Sequence, residues 1–140
     1  MSKPHIVVVE DNPGDVQLLR IALDQQAEEY ELSVLADGAE AVQYVQSRHA
    51  GSTEPQPCAM LLDFRLPKYD GLEVLAALRR EPSLDHVHVI ILSSATVQLS
   101  EKLKIVSLGA IFREKPRTFL ELAELAAHVL ELCKGAIAVG

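Results

Sequence analysis

Glu10 and Asp11 stand side by side directly after the apolar run Ile6-Val7-Val8-Val9, and Asp63 closes a second run, Cys58-Ala59-Met60-Leu61-Leu62. Ser93 follows His88 to Leu92, and Lys115 lies just past Ala110 to Phe112. Two adjacent acids at the end of a buried strand repel each other. Three carboxylates gathered at one place cannot all stay ionised without a counter-charge. Such a group implies Mg²⁺, a hard cation that takes oxygen ligands and retains several waters; Mn²⁺ could substitute. A metal-bound carboxylate beside an ammonium and a hydroxyl has the parts that phosphoryl transfer needs. In that chemistry Asp63 is the nucleophile, Mg²⁺ and Lys115 neutralise the equatorial oxygens, and Ser93 donates a hydrogen bond to one of them. The product is an acyl phosphate on Asp63.

These residues meet only if the intervening elements place the ends of their strands together. His5 to Val9 is short, apolar and rich in β-branched residues, as a strand buried on both faces of a parallel sheet should be. Asn12-Pro13-Gly14-Asp15 is a helix start, with Asn12 as N-cap, Pro13 at the first position and Asp15 near the positive end of the helix dipole. Val16, Leu19, Ala22 and Leu23 then make one helical face. The unit repeats in kind: a strand over 31–36 and a helix over 39–48, then a strand over 58–63 and a helix carrying Leu72, Leu75 and Leu78. A fourth strand at 88–92 leads to a helix over 98–108 closed by Gly109. A fifth at 110–112 precedes a final helix over 118–132. The stretch 49–57, with Gly51, Pro55 and Pro57, is turn chemistry and not a linker between domains. Five βα units with strands this apolar predict an α/β fold, a parallel sheet flanked by helices on both sides. Sites in such sheets form at the carboxyl ends of the strands.

The bulk properties narrow the function. At 140 residues the chain suits one domain, here residues 1–134 with a short apolar tail at 135–140. Its net charge is −7, from 13 basic and 20 acidic residues, and its longest basic run is Arg79-Arg80. Direct contact with nucleic acid or an anionic membrane is disfavoured. The four-residue apolar run near the N-terminus is too short for a signal peptide, and no window approaches a membrane span. The two cysteines, Cys58 and Cys133, lack the spacing of a zinc or redox motif and are expected to be reduced, packed thiols in a cytoplasmic protein. The five histidines share no ligand spacing and receive no role.

The motifs VVVEDN at 7–12, LLDFRLPKYDG at 61–71, ILSSA at 91–95 and FREKP at 112–116, in this order, resemble the receiver domain of two-component response regulators. Asp63 precedes Ser93 by 30 residues and Lys115 by 52, which agrees with the family's spacing. The resemblance implies a doubly wound, five-stranded flavodoxin-like (CheY-like) sheet of strand order 2-1-3-4-5. It makes Glu10 and Asp11 the acidic metal pair, Asp63 the phosphoacceptor and third ligand, and the Arg65 backbone carbonyl a further ligand. It also makes Ser93 the switch hydroxyl, Lys115 the phosphoryl contact, Phe112 the switch aromatic, and the Lys115-Pro116 bond cis. The partner it implies is a sensor histidine kinase. EDNPGDVQLLR and the extended loop before the third strand further resemble regulators paired with phytochrome-type kinases. Absence of any segment after the last helix suggests a stand-alone regulator with no enzymatic activity beyond accepting and losing its own phosphoryl group. Phosphorylation would reshape the surface of the fourth helix, fifth strand and fifth helix.

Each residue also has a blander reading. Glu10-Asp11 alone could cap a helix, Ser94 could replace Ser93 as the relevant hydroxyl, Lys115 could simply snorkel, and Phe112 could be core. Arg65 and Ala95, two residues past Asp63 and Ser93, occupy positions that flank the path of hydrolytic water in the family. A Mg²⁺-dependent aspartyl-phosphate phosphatase would want an acid where Arg65 stands. A scaffold that signals without phosphorylation would not need all five site positions filled. In the final helix, Phe119, Leu122, Ala123, Ala126, Val129, Leu130 and Cys133 make a core stripe, while Leu120, Leu125 and Leu132 lie off it. A helix apolar on a second side predicts a homodimer through this helix and the fifth strand.

Overall fold

The computed structural model describes residues 3–48, 56–66, 68–94 and 96–139, with side chains described as far as Lys134. Five strands alternate with helices: β1 (His5–Val9), α1 (Pro13–Asp24), β2 (Glu31–Leu35), α2 (Gly38–Ser47), β3 (Ala59–Asp63) and α3 (Gly71–Arg79). After a single 3-10 turn at Pro82–Leu84 come β4 (His88–Ser93), α4 (Leu99–Ser107), β5 (Ile111–Glu114) and α5 (Phe119–Val139). The strands form one parallel sheet in the order β2-β1-β3-β4-β5. The parallel sheet is what the sequence pattern predicts, and its strand order is the one that the resemblance implies. Residues 49–55 of the long loop lie outside the described residues, as do Pro67 and Ala95.

Side-chain alternation along the three inner strands divides the core in two. Val7, Val9, Met60, Leu62, Val89 and Ile91 face one way and pack under α2, α3 and α4. Ile6, Val8, Ala59, Leu61, Ile90 and Leu92 face the other way, under α1 and α5. The edge strands are less apolar in setting than the sequence predicts: Val34 of β2 is exposed, and Ile111, Phe112 and Arg113 of β5 are half-buried. An edge strand has a neighbour on one side only, and its ends escape the covering helices.

The helix starts follow local chemistry. The Asn12 side chain accepts hydrogen bonds from the backbone N–H groups of Gly14 and Asp15. Asp70 and Glu73 form a reciprocal capping box on α3. Gly109 has φ +75° and follows the α4 C-cap, the left-handed position glycine adopts without strain. Arg79, at the end of α3, ties several segments together: its guanidinium donates to the carbonyls of Leu108 (2.7 Å), Val87 (3.1 Å), Leu84 and Asp85 (both 3.4 Å).

Three sequence expectations need correction. Cys58 and Cys133 are not separate thiols; they form a disulfide with their Cα atoms 5.4 Å apart. A bridge requires proximity in space, not a short motif, and the residue before β3 lies on the same side of the sheet as α5. Closing a loop of 75 residues restricts the unfolded chain by about 4 kcal/mol in the chain-entropy treatment. The Lys115-Pro116 peptide is trans, and no described peptide bond is cis. Trans is the intrinsically favoured isomer before proline, and the Lys115 side chain reaches its carboxylate partners with it. Finally, Leu125 is 1% exposed and belongs to the core, Leu132 packs against it, and Phe119 is 41% exposed. Leu125 sits one turn from Val129, and α5 packs on both the sheet and α1, so its buried face is wider than a single stripe. α5 continues through the apolar tail to Val139.

Candidate phosphoacceptor site

β1 and β3 are adjacent and in register from Ile6↔Ala59 to Val9↔Leu62, so Glu10 and Asp63 emerge side by side. β3 and β4 pair through Asp63↔Leu92, which places Ser93 one step beyond. The sheet ladder continues past the strands: Glu10 N–H donates to the Leu35 carbonyl (2.9 Å), Phe64 N–H to Leu92 (2.8 Å) and Lys115 N–H to Ser93 (2.9 Å). Backbone hydrogen bonds therefore bring Glu10, Asp63, Ser93 and Lys115 to the same edge of the sheet.

Two close backbone approaches hold the loop after Asp63. A Cβ added to Gly71 would lie 2.9 Å from the Asp63 carbonyl oxygen, and one added to Gly38 only 2.0 Å from the Tyr69 carbonyl oxygen. The starts of α3 and α2 thus press on the main chain of this loop, and glycine is what permits it.

At the centre, the Lys115 ammonium donates to Asp63 Oδ2 at 2.9 Å and to Glu10 Oε2 at 3.1 Å. Asp15 lies 3.9 Å from the same nitrogen. Asp63 Oδ1 accepts from the Arg65 backbone N–H, and Glu10 Oε1 from that of Asn12. Asp63, Glu10 and Ser93 are buried, at 8%, 9% and 2% exposure, whereas Asp11 is open to solvent. Burial pushes the Glu10 carboxyl above the ordinary range; Lys115 opposes that shift and the Asp63 charge adds to it. Burial alone would lower the Lys115 ammonium, but Asp63 and Glu10 outweigh it and hold it above its ordinary value. The lysine therefore stays charged, and shields acids that would otherwise repel.

One carboxylate oxygen from each of Glu10, Asp11 and Asp63 falls within 4.8 Å of the others. The donors are all hard oxygens, which suits a divalent cation of the Mg²⁺ or Mn²⁺ kind and not a thiophilic one. The exposure of Asp11 leaves such a cation room to keep waters.

Phe112 lies apart from this cluster. It pairs with Ile91 in the sheet, packs half-buried against the α2–α3–α4 core, and carries the Lys102 ammonium 5.2 Å from its ring centroid. Between it and Ser93 is a cavity of about 190 Å³, lined also by Ser94, Thr96, Val97 and Lys115. The Arg65 guanidinium is exposed and stacks at 5.1 Å over Phe64. The sequence reading missed Asp15 as a neighbour of Lys115. Its place in the first turn of α1, four residues past Asp11, was the available signal. Arg79 also carried no role, since partners that are all backbone carbonyls leave no trace in a sequence.

Residues 6–127 match the response regulator receiver domain family. Response regulator Rcp1 of Synechocystis sp. (strain ATCC 27184 / PCC 6803 / Kazusa) is 36% identical over 90 residues, covering 64% of this chain and 61% of Rcp1. The probable methanogenesis regulatory protein FilR2 of Methanothrix harundinacea is 35% identical over 91 residues, 65% of this chain and 58% of that protein. The chain thus spans about three fifths of the length of these curated relatives. Among solved structures, the phosphorylated cyanobacterial phytochrome response regulator RcpA superposes with a TM-score of 0.79 at 28% identity, over 93% of both chains. The Mn²⁺-bound form of Rcp1 gives 0.76 at 28% identity, over 90% of this chain and 91% of that one. The bacteriophytochrome response regulator AtBRR gives 0.71 at 32%, over 94% and 95%. With its strand order, its acidic edge and a family match across nearly the whole described fold, this chain belongs to the response regulator receiver domains.

Proposed function

We propose that the chain accepts a phosphoryl group on Asp63 from the phosphohistidine of a sensor histidine kinase, of the phytochrome type, in the cytoplasm. The observation that carries this reading is the buried Asp63 carboxylate, held at 2.9 Å by Lys115 and within 4.8 Å of the Glu10 and Asp11 oxygens. An Asp63 oxygen attacks phosphorus; the P–O bond forms as the P–N bond to the donor imidazole breaks. Glu10, Asp11, Asp63 and the Arg65 carbonyl would hold Mg²⁺, which when bound offsets the charge of the carboxylates and the phosphoryl oxygens. Lys115, which donates to one Asp63 carboxylate oxygen in the free site, follows the negative charge onto the new phosphoryl group. The Ser93 hydroxyl, at the end of β4, is next in line to donate.

The cavity between Ser93 and Phe112 is where this chemistry meets the surface. Movement of Ser93 and the segment after it toward the phosphoryl group opens space into which the Phe112 ring turns, shifting an existing equilibrium. Phe112 has no hydroxyl, so the readout is one of shape and not of a hydrogen bond. The chain itself carries out no other reaction.

The test is to incubate the chain with a small phosphodonor and Mg²⁺ and follow its intact mass and free phosphate, with and without chelator. Metal-dependent gain of one phosphoryl group supports the proposal. Turnover to free phosphate with no stable adduct would point to a phosphatase, and no addition to a scaffold. Arg65 bears on the adduct's lifetime: its exposed cation stands beside the acceptor, and Arg65→Ala is expected to change the dephosphorylation rate. An identical decay of labelled wild type and variant would remove that role.

The switching face also supports a homodimer, without direct contact with nucleic acid or membrane. Among the described residues no helix is long and apolar enough to cross a membrane. α4 exposes Leu99, Leu103 and Val106, at i, i+4 and i+7 along one stripe, and α5 exposes Leu120. Leu103 is 61% exposed and Leu120 70%, so a charge at either is tolerated by the fold. Leu103→Asp is expected to reduce the mass in solution from dimer to monomer while leaving the circular dichroism of the folded chain unchanged. A wild type that is itself a monomer, before and after phosphorylation, would end the dimer reading.

A further inference from the structure

We propose that the Cys58–Cys133 disulfide is a reversible redox site, reduced at Cys58 by protein dithiols, and that its state sets how firmly the carboxyl half of α5 is held. Cys133 is fully buried among Val129, Leu130 and their neighbours, while Cys58 is only half-buried, so Cys58 is the half of the bond nearer to solvent and the side from which a nucleophile approaches. The bond lies at the amino end of β3, five residues before Asp63, at the opposite edge of the sheet from the acceptor site. A reagent at Cys58 therefore does not compete with a phosphodonor. In a reducing compartment, disulfides that do form tend to be transient and redox-sensing.

The chemistry is thiol–disulfide exchange. A thiolate of the dithiol attacks Cys58 Sγ; a mixed disulfide forms and the Cys58–Cys133 bond breaks. The electron pair leaves on Cys133, which takes a proton. The second thiol of the reductant then attacks its own sulfur in the mixed disulfide and releases Cys58, which is protonated in turn. The dithiol is oxidised to its internal disulfide by two electrons and the chain is reduced by two. A monothiol lacks that second step, and the neighbouring Cys133 reverses its attack, so a dithiol is the class that suits this site.

Reduction has a directed structural effect. One end of α5 begins four residues after Lys115, and its described far end is held by the disulfide and by the Lys134–Glu28 ion pair at 2.5 Å. Without the covalent link, that far end depends on an exposed ion pair, a weak restraint in water, and on the packing of Val129, Leu130 and Cys133.

The whole chain is incubated under native conditions with dithiothreitol, or with a thioredoxin-class dithiol protein, then alkylated and weighed intact. Hydrogen exchange across 125–134 and phosphoryl loading from a small phosphodonor are followed in parallel. Untreated chain is expected to take no alkyl groups and reduced chain two, with exchange across 125–134 faster by at least about tenfold. The melting temperature should fall by roughly 10 °C, and Asp63 should still load. Reoxidation should restore all three values, and Cys58→Ser should match the reduced chain in exchange and melting temperature while taking one alkyl group in place of two. Alkylation of the untreated chain, release of thiols only in denaturant, or reduction with unchanged α5 exchange would each overturn the proposal. So would loss of loading on reduction, since the two ends of β3 would then not be independent.

Discussion

Asp63→Asn eliminates phosphoryl acceptance from a small phosphodonor while leaving the fold in place. The amide is nearly isosteric with the carboxylate, so the packing of β3 is unchanged. Its nitrogen, however, is no nucleophile, and its oxygen is far weaker than a carboxylate's. The charge balance also changes. Lys115 loses one of the two carboxylates at hydrogen-bonding distance and keeps Glu10 at 3.1 Å. Removing one of three like-charged oxygens within 4.8 Å relieves repulsion in the metal-free chain. The variant should therefore melt at the same temperature or higher, with metal affinity reduced. Intact mass after incubation with Mg²⁺ and phosphodonor, a thermal melt and a metal titration check the three statements in turn. An adduct on the variant at wild-type yield would move the acceptor to another residue and undo the proposed function.

Gly38→Ala is expected to cost about 2–3 kcal/mol, a large effect for a single methyl group. Its Cβ would have to occupy a point 2.0 Å from the Tyr69 carbonyl oxygen, with the Tyr69 carbonyl carbon at 2.7 Å. A flexible side-chain tip could swing aside, but backbone cannot without shifting α2 or the loop behind Asp63. That loop carries the Arg65 N–H that Asp63 accepts and ends at Asp70, the cap of α3. Loss of stability should thus come with slower phosphoryl loading, although Gly38 touches no reacting atom. Denaturant unfolding and loading kinetics measured together test this. A variant as stable as wild type would mean that the two segments are free to separate.

Much of the site was legible because its signals are local. The runs before Glu10, Asp63 and Ser93 are β-branched or aliphatic and stop abruptly at a polar residue, so both the strand and its functional end are visible in one stretch. Asn12, Asp70 and Gly109 work through backbone a few residues away, and local rules suffice for them. What was not legible depends on partners distant in sequence. The Cys58–Cys133 bond spans 75 residues. The burial of Leu125 depends on α1 lying against α5, and periodicity along one helix does not reveal how many surfaces it touches. The trans peptide before Pro116 departs from what the resemblance implies, and Lys115 reaches Asp63 and Glu10 all the same.

The Arg79 clamp gives α4 the mechanics of a lever. Its carboxyl end is fastened by a guanidinium bonded to Leu108 and to three carbonyls before β4, and the following residue, Gly109, supplies a bend. Along the helix only Ile105, near that fastened end, is buried. The opposite end, at Leu99, stands about 13 Å away at 1.5 Å per residue and directly follows the segment that leaves Ser93. If Ser93 is drawn toward a phosphoryl group as proposed, Val97, 4% exposed and seated in the core just before α4, would carry the pull to that end of the helix, with the displacement shrinking toward a fulcrum at Arg79. The exposed stripe of Leu99, Leu103 and Val106 would then be swept in an arc instead of sliding, so that a partner gripping Leu99 would sense far more travel than one gripping Val106.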